Sequence, residues 1–491
     1  MSAVVREDLI VAGRRRPGRG AVLPSISPVD GRVVAEVATA SPEDVDEAVT
    51  AGAAAMRDPA WRGMLPHERA RLLHRAGALI EDDLEGLARL QTRDNGKPIT
   101  ETRALVASAA GTFRYVAAAL ETLDETLTTP RGPYLSMSVY EPIGPVAAIT
   151  PWNSPIASEA QKAAPALAAG NAVLIKPAEW SPLTALRLGE ILLCAGMPPG
   201  LISVLPGAGP VTGEALVRHP GVRKVSFTGG TATGRRIGAI AAEKLMPVSL
   251  ELGGKSPTIV LPDADLDHAV KGVLFGVFSS HGQACVAGSR LFVHRSMHDE
   301  MVDRLVAAAE RLVIGDPDDE GTHMGPLISA EHRERVEAYV RLAAEEGGRV
   351  RTGGERPRGA GLDAGFFYRP TIITGLDHGS RVCREEIFGP VLAVLPYEDE
   401  DALPALADAT PYGLACGIWS RDYRRAWRLA RRIEAGTVWI NTYKQLSAAT
   451  PFGGVKESGV GREKGRDGIR AYMAQKGVYW GLDEAPMRWG D

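Results

Sequence analysis

The chain has 491 residues, 45% hydrophobic and 24% charged, with a formal net charge of −4. That length exceeds one compact core, so two or three domains are expected, and the composition is that of a soluble globular protein. The charge gives no global field for nucleic acid or an anionic membrane, so partners of either kind are not expected.

The N-terminus, MSAVVREDLI, has no apolar signal core. The most apolar run, 163–175, is too short for a bilayer and carries Asn171. Cys194, Cys285, Cys383 and Cys416 form no C-x-x-C pair and no Cys/His cluster with zinc spacing. Neither a disulfide framework nor a metal site is expected, and a reducing cytoplasm is the natural compartment.

Taken in chain order, the basic run Arg14-Arg-Arg-Pro-Gly-Arg19 reads as a solvated loop. Ser41-Pro-Glu-Asp44 carries helix-start signals: a Ser cap, Pro in the first turn and acids beside it. Val45, Ala48, Val49, Ala53 and Met56 then form an apolar stripe at helical spacing. Helical patterning continues to about residue 120, with Pro66 opening another segment.

From residue 146 short apolar runs alternate with helices. Strands are expected at 146–150, 172–176, 201–205, 222–228 and 247–251. Helices are expected between them: one ending at Gly170-Asn171, one capped by Ser181-Pro182, one over about 211–218 and one opening near Thr231. Continuous apolar strands imply a parallel sheet covered on both faces. A second series follows Gly254. It has strands at 258–261, 291–294, near 391–395, 415–419 and 437–441, with helices over 265–279 and up to 312. The Gly-rich stretch 353–365 reads as a surface loop.

Ligands of open parallel sheets bind beyond the carboxyl ends of the strands, and the first series places its unusual residues there. Thr150-Pro151-Trp152-Asn153 follows the first strand, Lys176-Pro-Ala-Glu179 the second and Pro206-Gly-Ala-Gly209 the third. Phe227-Thr228-Gly229-Gly230-Thr231 follows the fourth, and Glu251-Leu252-Gly-Gly254 the fifth. Gly207-Ala-Gly209 with Gly213 does not have G-x-G-x-x-G spacing. Gly229-Gly230-Thr231, opening a helix straight after a strand, is better placed to offer N–H groups to a diphosphate. Lys176 and Glu179 read either as a solvated pair or as ligands of a ribose diol. In the second reading the Glu179 carboxylate disfavours a 2′-phosphate, and so selects NAD over NADP. Cys285, in SSHGQACVAGSR, is by itself open between a packing residue and a nucleophile.

The ordered blocks PWNSP (151–155), KPAE (176–179), FTGGTATG (227–234), LELGGKSP (250–257), GQACVAGSR (282–290), EEIFGPV (385–391) and PFGGVKESGVGRE (451–463) resemble the NAD(P)-dependent aldehyde dehydrogenase superfamily, of the hydrolytic type. The resemblance implies an α/β fold with a Rossmann-type cofactor domain (1–121 and 143–253) and an α/β catalytic domain (254–453). It adds a small β oligomerisation element (122–142 and 470–491) that makes a dimer or tetramer. It implies oxidation of an aldehyde to the acid with NAD. Cys285 is then the nucleophile that carries a thiohemiacetal and a thioester, Asn153 the oxyanion donor and Glu251 the base that activates water. Glu386 and Phe388 position the nicotinamide end, Lys176 and Glu179 the adenosine ribose, and Lys162 supports the site. Trp152 then lies beside the adenine–ribose channel or is a core residue.

His281, four residues before the nucleophile, needs no catalytic role in this mechanism, and Cys194, Cys383 and Cys416 read as packing residues. Gly282 and its small neighbours are expected to leave room around the sulfur. Gly230 stands where many relatives have Ser. Ser154, Gln161 and Leu446 replace frequent aromatics, and Ser158 and Glu159 share their segment, so the substrate tunnel is expected to be roomy and polar. Lys444, in the loop at the tunnel mouth, reads as an attractor of carboxylated substrates such as a semialdehyde or as an exposed lysine. Two alternatives remain: a coenzyme A-acylating semialdehyde dehydrogenase, disfavoured by Glu251, and a non-catalytic binding protein on the same fold.

Overall fold

A computed structural model describes residues 4–359 and 361–483. The last residues of the expected oligomerisation segment, 484–491, and the first three of the N-terminal reading lie outside the described residues.

Five parallel strands make the centre of the first sheet: β1 (Val146–Ile149), β2 (Val173–Lys176), β3 (Ile202–Val204), β4 (Lys224–Thr228) and β5 (Val248–Glu251). Their spatial order is 5-4-1-2-3. Every residue of β1, β2 and β3 is buried, as expected of strands with both faces covered. Three helices follow these strands: α1 (Pro155–Ala168) after β1, α2 (Leu183–Cys194) after β2 and α3 (Thr231–Glu243) after β4. The chain leaves β1 in one direction to β2 and β3, then returns to place β4 on the other side. That reversal opens a crevice at the carboxyl ends of β1 and β4.

The sheet's edges depart from the sequence reading. Leu9–Val11 pairs antiparallel with β3, and Arg14–Arg16 pairs antiparallel with Leu9–Val11. The basic run is thus an edge strand, not a solvated loop. Its partner is the capped helix Pro42–Arg57, where Ser41 and Asp44 form a reciprocal capping box. Asp44 is fully buried. Its Oδ1 accepts from Arg16 at 2.8 Å and Arg19 at 2.9 Å, while its Oδ2 accepts the Arg19 N–H at 2.9 Å. A buried carboxylate needs such partners, and the basic run supplies them. On the opposite edge Gly459–Val460 pairs antiparallel with β5, returning the chain to the first sheet after the second is complete.

Two helix starts also differ. Ser181 does not cap α2; its hydroxyl donates to the Trp152 carbonyl at 3.2 Å, and the Leu183 N–H is taken by the buried Asp94 carboxylate at 3.0 Å. The helix expected from 211 begins as a wider turn at Gly209–Gly213 and runs on as Glu214–Arg218.

The second sheet contains β6 (Pro257–Val260), β7 (Arg290–His294), β8 (Arg349–Thr352), β9 (Thr371–Thr374), β10 (Val391–Tyr397), β11 (Ala415–Trp419) and β12 (Thr437–Ile440), in the order 8-9-10-7-6-11-12. All neighbours are parallel except the edge strand β8. Strands β8 and β9 and the helix Ala330–Glu345 were not anticipated. Tyr134–Pro142 pairs antiparallel with Met473–Gly481 along nine residues and with Thr126–Leu127, so the two segments expected to form one small β element do meet. The buried Asn171 amide ties this element down by donating to Tyr472 O at 2.9 Å. Among the described residues no helix is long and apolar enough to cross a membrane.

An Asp44→Ala variant removes the capping box and the shared acceptor of Arg16 and Arg19. It is expected to destabilise the protein by about 1–3 kcal/mol, read as a lower denaturant midpoint than wild type.

Candidate active site

A cleft of about 580 Å³ opens at the switch point between β1 and β4, a volume within the ~300–1,000 Å³ range of small-molecule sites. It is lined by Thr150, Pro151, Trp152, Asn153, Lys176, Glu179, Gly209, Gly213, Phe227, Thr228, Gly229, Gly230, Glu251, Leu252, Cys285, Glu386 and Phe388. Of the residues assigned to catalysis or cofactor binding, Lys162 does not line it; Lys444 and the segment residues Ser154, Gln161 and Leu446 also lie outside it.

The far end of the cleft has the form of a nucleotide seat. Glu179 Oε1 accepts the Gly209 N–H at 2.6 Å, while Lys176 is buried and donates to Pro177 O at 2.9 Å. Burial pulls the Lys176 ammonium down to about 8, against the pull of Glu179. Thr150 Oγ1 is buried with no hydrogen-bond partner among the described residues. A Cβ added at Gly230 would meet nothing within 4 Å, so the start of α3 faces open space. Gly229 differs from expectation: its N–H is taken by Glu251 O at 3.0 Å. The donors left for a diphosphate therefore begin at Gly230.

The near end is built by both sheets. Glu386 precedes β10 and accepts the Gly254 N–H at 3.0 Å; burial pushes its carboxyl up to about 7. Phe388 stands at φ +62, and its carbonyl accepts from His332 Nε2 at 2.7 Å. The rings of Trp180, His332 and Phe388 pack edge-on around Trp152, with centroids 5.2–5.8 Å away. Trp152 therefore belongs to the cleft. His332 and Arg335, which donates to Glu386 O at 2.9 Å, were missed because the helix that carries them was missed.

Cys285 is half-buried. Three residues in the left-handed region precede it: Ser280 (φ 57), His281 (φ 55) and Gly282 (φ 69). A Cβ on Gly282 would lie 2.2 Å from Gly389 O. Gly282 thus serves the turn and its packing on the loop after Phe388, rather than leaving room for ligands. Asn153 Nδ2 donates to Gln283 O at 2.9 Å, which holds its amide beside the Cys285 loop. His281 is buried, and its Nε2 accepts the Gly325 N–H at 2.8 Å; burial pulls its pKa down to about 3. It is a neutral strut. Burial, then the Glu386 and Glu251 carboxylates, push the Cys285 thiol up to about 12.

The model of the aldehyde dehydrogenase family matches residues 16–478. The chain belongs to the aldehyde dehydrogenase family. It is 44% identical over 466 residues to a betaine aldehyde dehydrogenase of Cereibacter sphaeroides, covering 94% of each chain. It is 42% identical over 460 residues to a phenylacetaldehyde dehydrogenase of Pseudomonas fluorescens, covering 92% of this chain and 91% of the relative. An NAD+ complex of an aldehyde dehydrogenase from Bacillus cereus superposes with a TM-score of 0.95 at 38% identity, covering 97% of each chain.

Within this family frame Lys162 is not a solvated helix lysine. It is fully buried, and its Nζ donates to Glu463 Oε1 at 2.5 Å and to Ser226 Oγ at 3.1 Å. Ser226 donates to the same Glu463 oxygen at 2.7 Å, and Gln161 Nε2 donates to the other. Glu251 lies against this cluster, buried, with no partner for either carboxylate oxygen among the described residues. Burial and then the neighbouring Glu463 raise its carboxyl well above the usual range, against the pull of Lys162.

One face of α1 is a stripe of half-buried residues, Ser154, Ala157, Ser158 and Gln161, at helical spacing. Glu159 falls on the other face, fully buried, and feels the Asp94 carboxylate. Glu159 therefore does not join the half-buried stripe, and Gln161 is committed to Glu463. Cys383 and Cys416 are buried as expected, whereas Cys194, at the end of α2, is exposed.

In the cofactor-free protein at pH 7, iodoacetamide is expected to label Cys194 ahead of Cys285. Cys285 labelling should then climb about tenfold per pH unit, because only the thiolate reacts. Peptide mass spectrometry that finds Cys285 labelled first, or its rate level below pH 9, contradicts this.

Proposed function

We propose that the chain oxidises a polar aldehyde to its carboxylic acid with NAD, through a thioester on Cys285 that is released by water activated at Glu251. The observation that carries the reading is Glu251. Its carboxylate is buried and unpartnered, and it lines the same cleft as Cys285. A base held without donors keeps its affinity for a proton.

The residues at the cleft fit NAD. The open backbone at Gly230, the unpartnered Thr150 hydroxyl, and Lys176 with Glu179 suit a diphosphate and a ribose diol. Glu179 disfavours a 2′-phosphate, which makes NADP the poorer ligand. Trp152, Phe388 and Glu386 hold the nicotinamide end.

Cys285 Sγ bonds to the carbonyl carbon of the aldehyde, and the thiol proton passes to a base. With the thiol held high by burial and then by two carboxylates, Glu251 is the group in the cleft suited to take it. The oxyanion receives the Asn153 amide, and loss of such a donor typically costs ~10²–10³ in rate. Bound NAD supplies the acceptor for the hydride that leaves this carbon, and a thioester remains on Sγ. Glu251 gives the thiol proton up to solvent, then takes a proton from water as the water oxygen bonds to the thioester carbon; it returns that proton to Sγ as the C–S bond breaks and the acid leaves. Lys162 acts by keeping Glu463 charged, and so sets the proton affinity of Glu251.

We propose a division into an NAD-binding domain (1–121 and 143–253), a catalytic domain (254–453) and an oligomerisation element (122–142 and 470–491), with one addition. Gly459–Val460 belongs to the first sheet's edge. Leu127, Tyr479 and Trp480 are exposed on the small β element, 63–73% accessible, and suit a dimer or tetramer. A cytoplasmic enzyme agrees with the free thiol of Cys285.

Cys285→Ala should bind NAD and form no NADH. Glu251→Gln should release at most about one NADH per site and then stall; steady turnover would assign water activation elsewhere, and acyl-CoA formed from added coenzyme A would favour the acylating alternative. Glu463→Gln removes the carboxylate that raises Glu251, so Glu251 ionises more readily. The acid limb of the kcat–pH profile should move to lower pH, while thermal stability falls because Lys162 loses its buried counter-ion. An acid limb that stays in place contradicts the coupling.

A further inference from the structure

Lys444 lies outside the cofactor cleft, in the turn after β12. Its φ is +55, although lysine has no short polar side chain to favour the left-handed region. The flanks impose it. Tyr443 is buried and its hydroxyl donates to Val286 O at 3.1 Å, one residue past the nucleophile. On the other side Trp439 Nε1 donates to Gln445 O at 2.8 Å. The turn is thereby fastened to the nucleophile loop, which fixes where the lysine side chain starts.

The ammonium is aimed inward. Nζ donates to Ser279 Oγ at 2.7 Å and Ser279 O at 3.3 Å, and it sits 5.9 Å from the centre of the Phe275 ring. Both acceptors are neutral, and a lysine ammonium has three N–H donors. The nearby Glu101 carboxylate favours the ammonium through its field but makes no hydrogen bond to it. Glu101 already accepts from the Ser280 N–H and hydroxyl, each at 2.8 Å, and from Lys97 at 3.4 Å. His281 is uncharged there. Lys97 and Glu101 cancel, which leaves the Lys444 charge in excess. Burial pulls the ammonium down to about 8, and its field reaches the Cys285 sulfur.

We propose that Lys444 determines substrate class: its Nζ receives the carboxylate of an ω-oxo carboxylate while the aldehyde end reaches Cys285 Sγ. This rests on the aldehyde-oxidising reading above and narrows it. The carboxylate supplies the missing counter-charge to a partly desolvated ammonium, an arrangement that makes the strong, charge-assisted class of hydrogen bond. The half-exposed ring of Phe275 gives the intervening methylenes an apolar wall. A neutral aldehyde uses that wall but leaves the charge unmet.

The test is the ratio of kcat/KM for ω-oxo carboxylates of four to six carbons to that for unbranched aldehydes of equal length. Wild type should favour the carboxylated substrate at one or more lengths, and added salt should lower that preference. Lys444→Met should lower the ratio by about tenfold or more, and Lys444→Arg should retain most of it. A ratio unchanged in Lys444→Met, or wild type favouring neutral aldehydes at every length, overturns the proposal and leaves the Cys285 chemistry standing. Failure of wild type to reduce NAD with either series overturns both. Should Lys444→Met not fold, a wild-type preference insensitive to salt is by itself contradictory.

Discussion

Two carboxylates, Glu251 and Glu463, are buried together at one edge of the first sheet, and of the nearby cations Lys162 hydrogen-bonds to Glu463. Like charges in a low-dielectric setting cannot share that lysine equally. Lys162, Ser226 and Gln161 all direct their donors at Glu463. Glu251 receives none. Glu463 is therefore held ionised while Glu251 is driven the other way. One becomes a fixed charge and the other a proton acceptor of raised affinity. The pairing of Gly459–Val460 with β5 makes this possible, since it carries Glu463 back from the far end of the chain to the strand that ends in Glu251.

Cys285 obeys the same electrostatics. Its loop turns through three left-handed residues and is wedged against Gly389 and the Val286–Tyr443 contact. That geometry delivers Cys285 to a place where both sheets contribute carboxylates, which makes the thiol a reluctant acid. The cofactor cleft and the Lys444 turn then reach the sulfur through different residues, one set from the first sheet's rim and the other from the helix and turn that follow β6 and β12.

Much of this was legible in the sequence. The runs 146–150 and 172–176 are apolar on both faces, and only a covered parallel sheet accepts that pattern. Polar residues at their carboxyl ends could then be placed on one rim before any coordinate was known. The edges were not legible, because strands of two or three residues are defined by their partners. Arg14–Arg16 looks like a basic loop until buried Asp44 is seen behind it. Lys162 looks like a surface lysine because its counter-ion is 301 residues away in the chain. Gly282 was credited with making space, and the space is filled by Gly389. Glu159 was assigned to the tunnel because the face of α1 that it occupies depends on packing that sequence does not display.

The central claim is that the oxidised substrate passes through a covalent bond to Cys285 and waits there for Glu251. Acid quenching of Glu251→Gln after mixing with aldehyde and NAD, followed by peptide mass spectrometry, tests it directly. The account predicts that the Cys285 peptide gains the mass of the acyl group in an amount equal to the NADH released. An unmodified Cys285 peptide alongside NADH, or the acyl group on another residue, would contradict it.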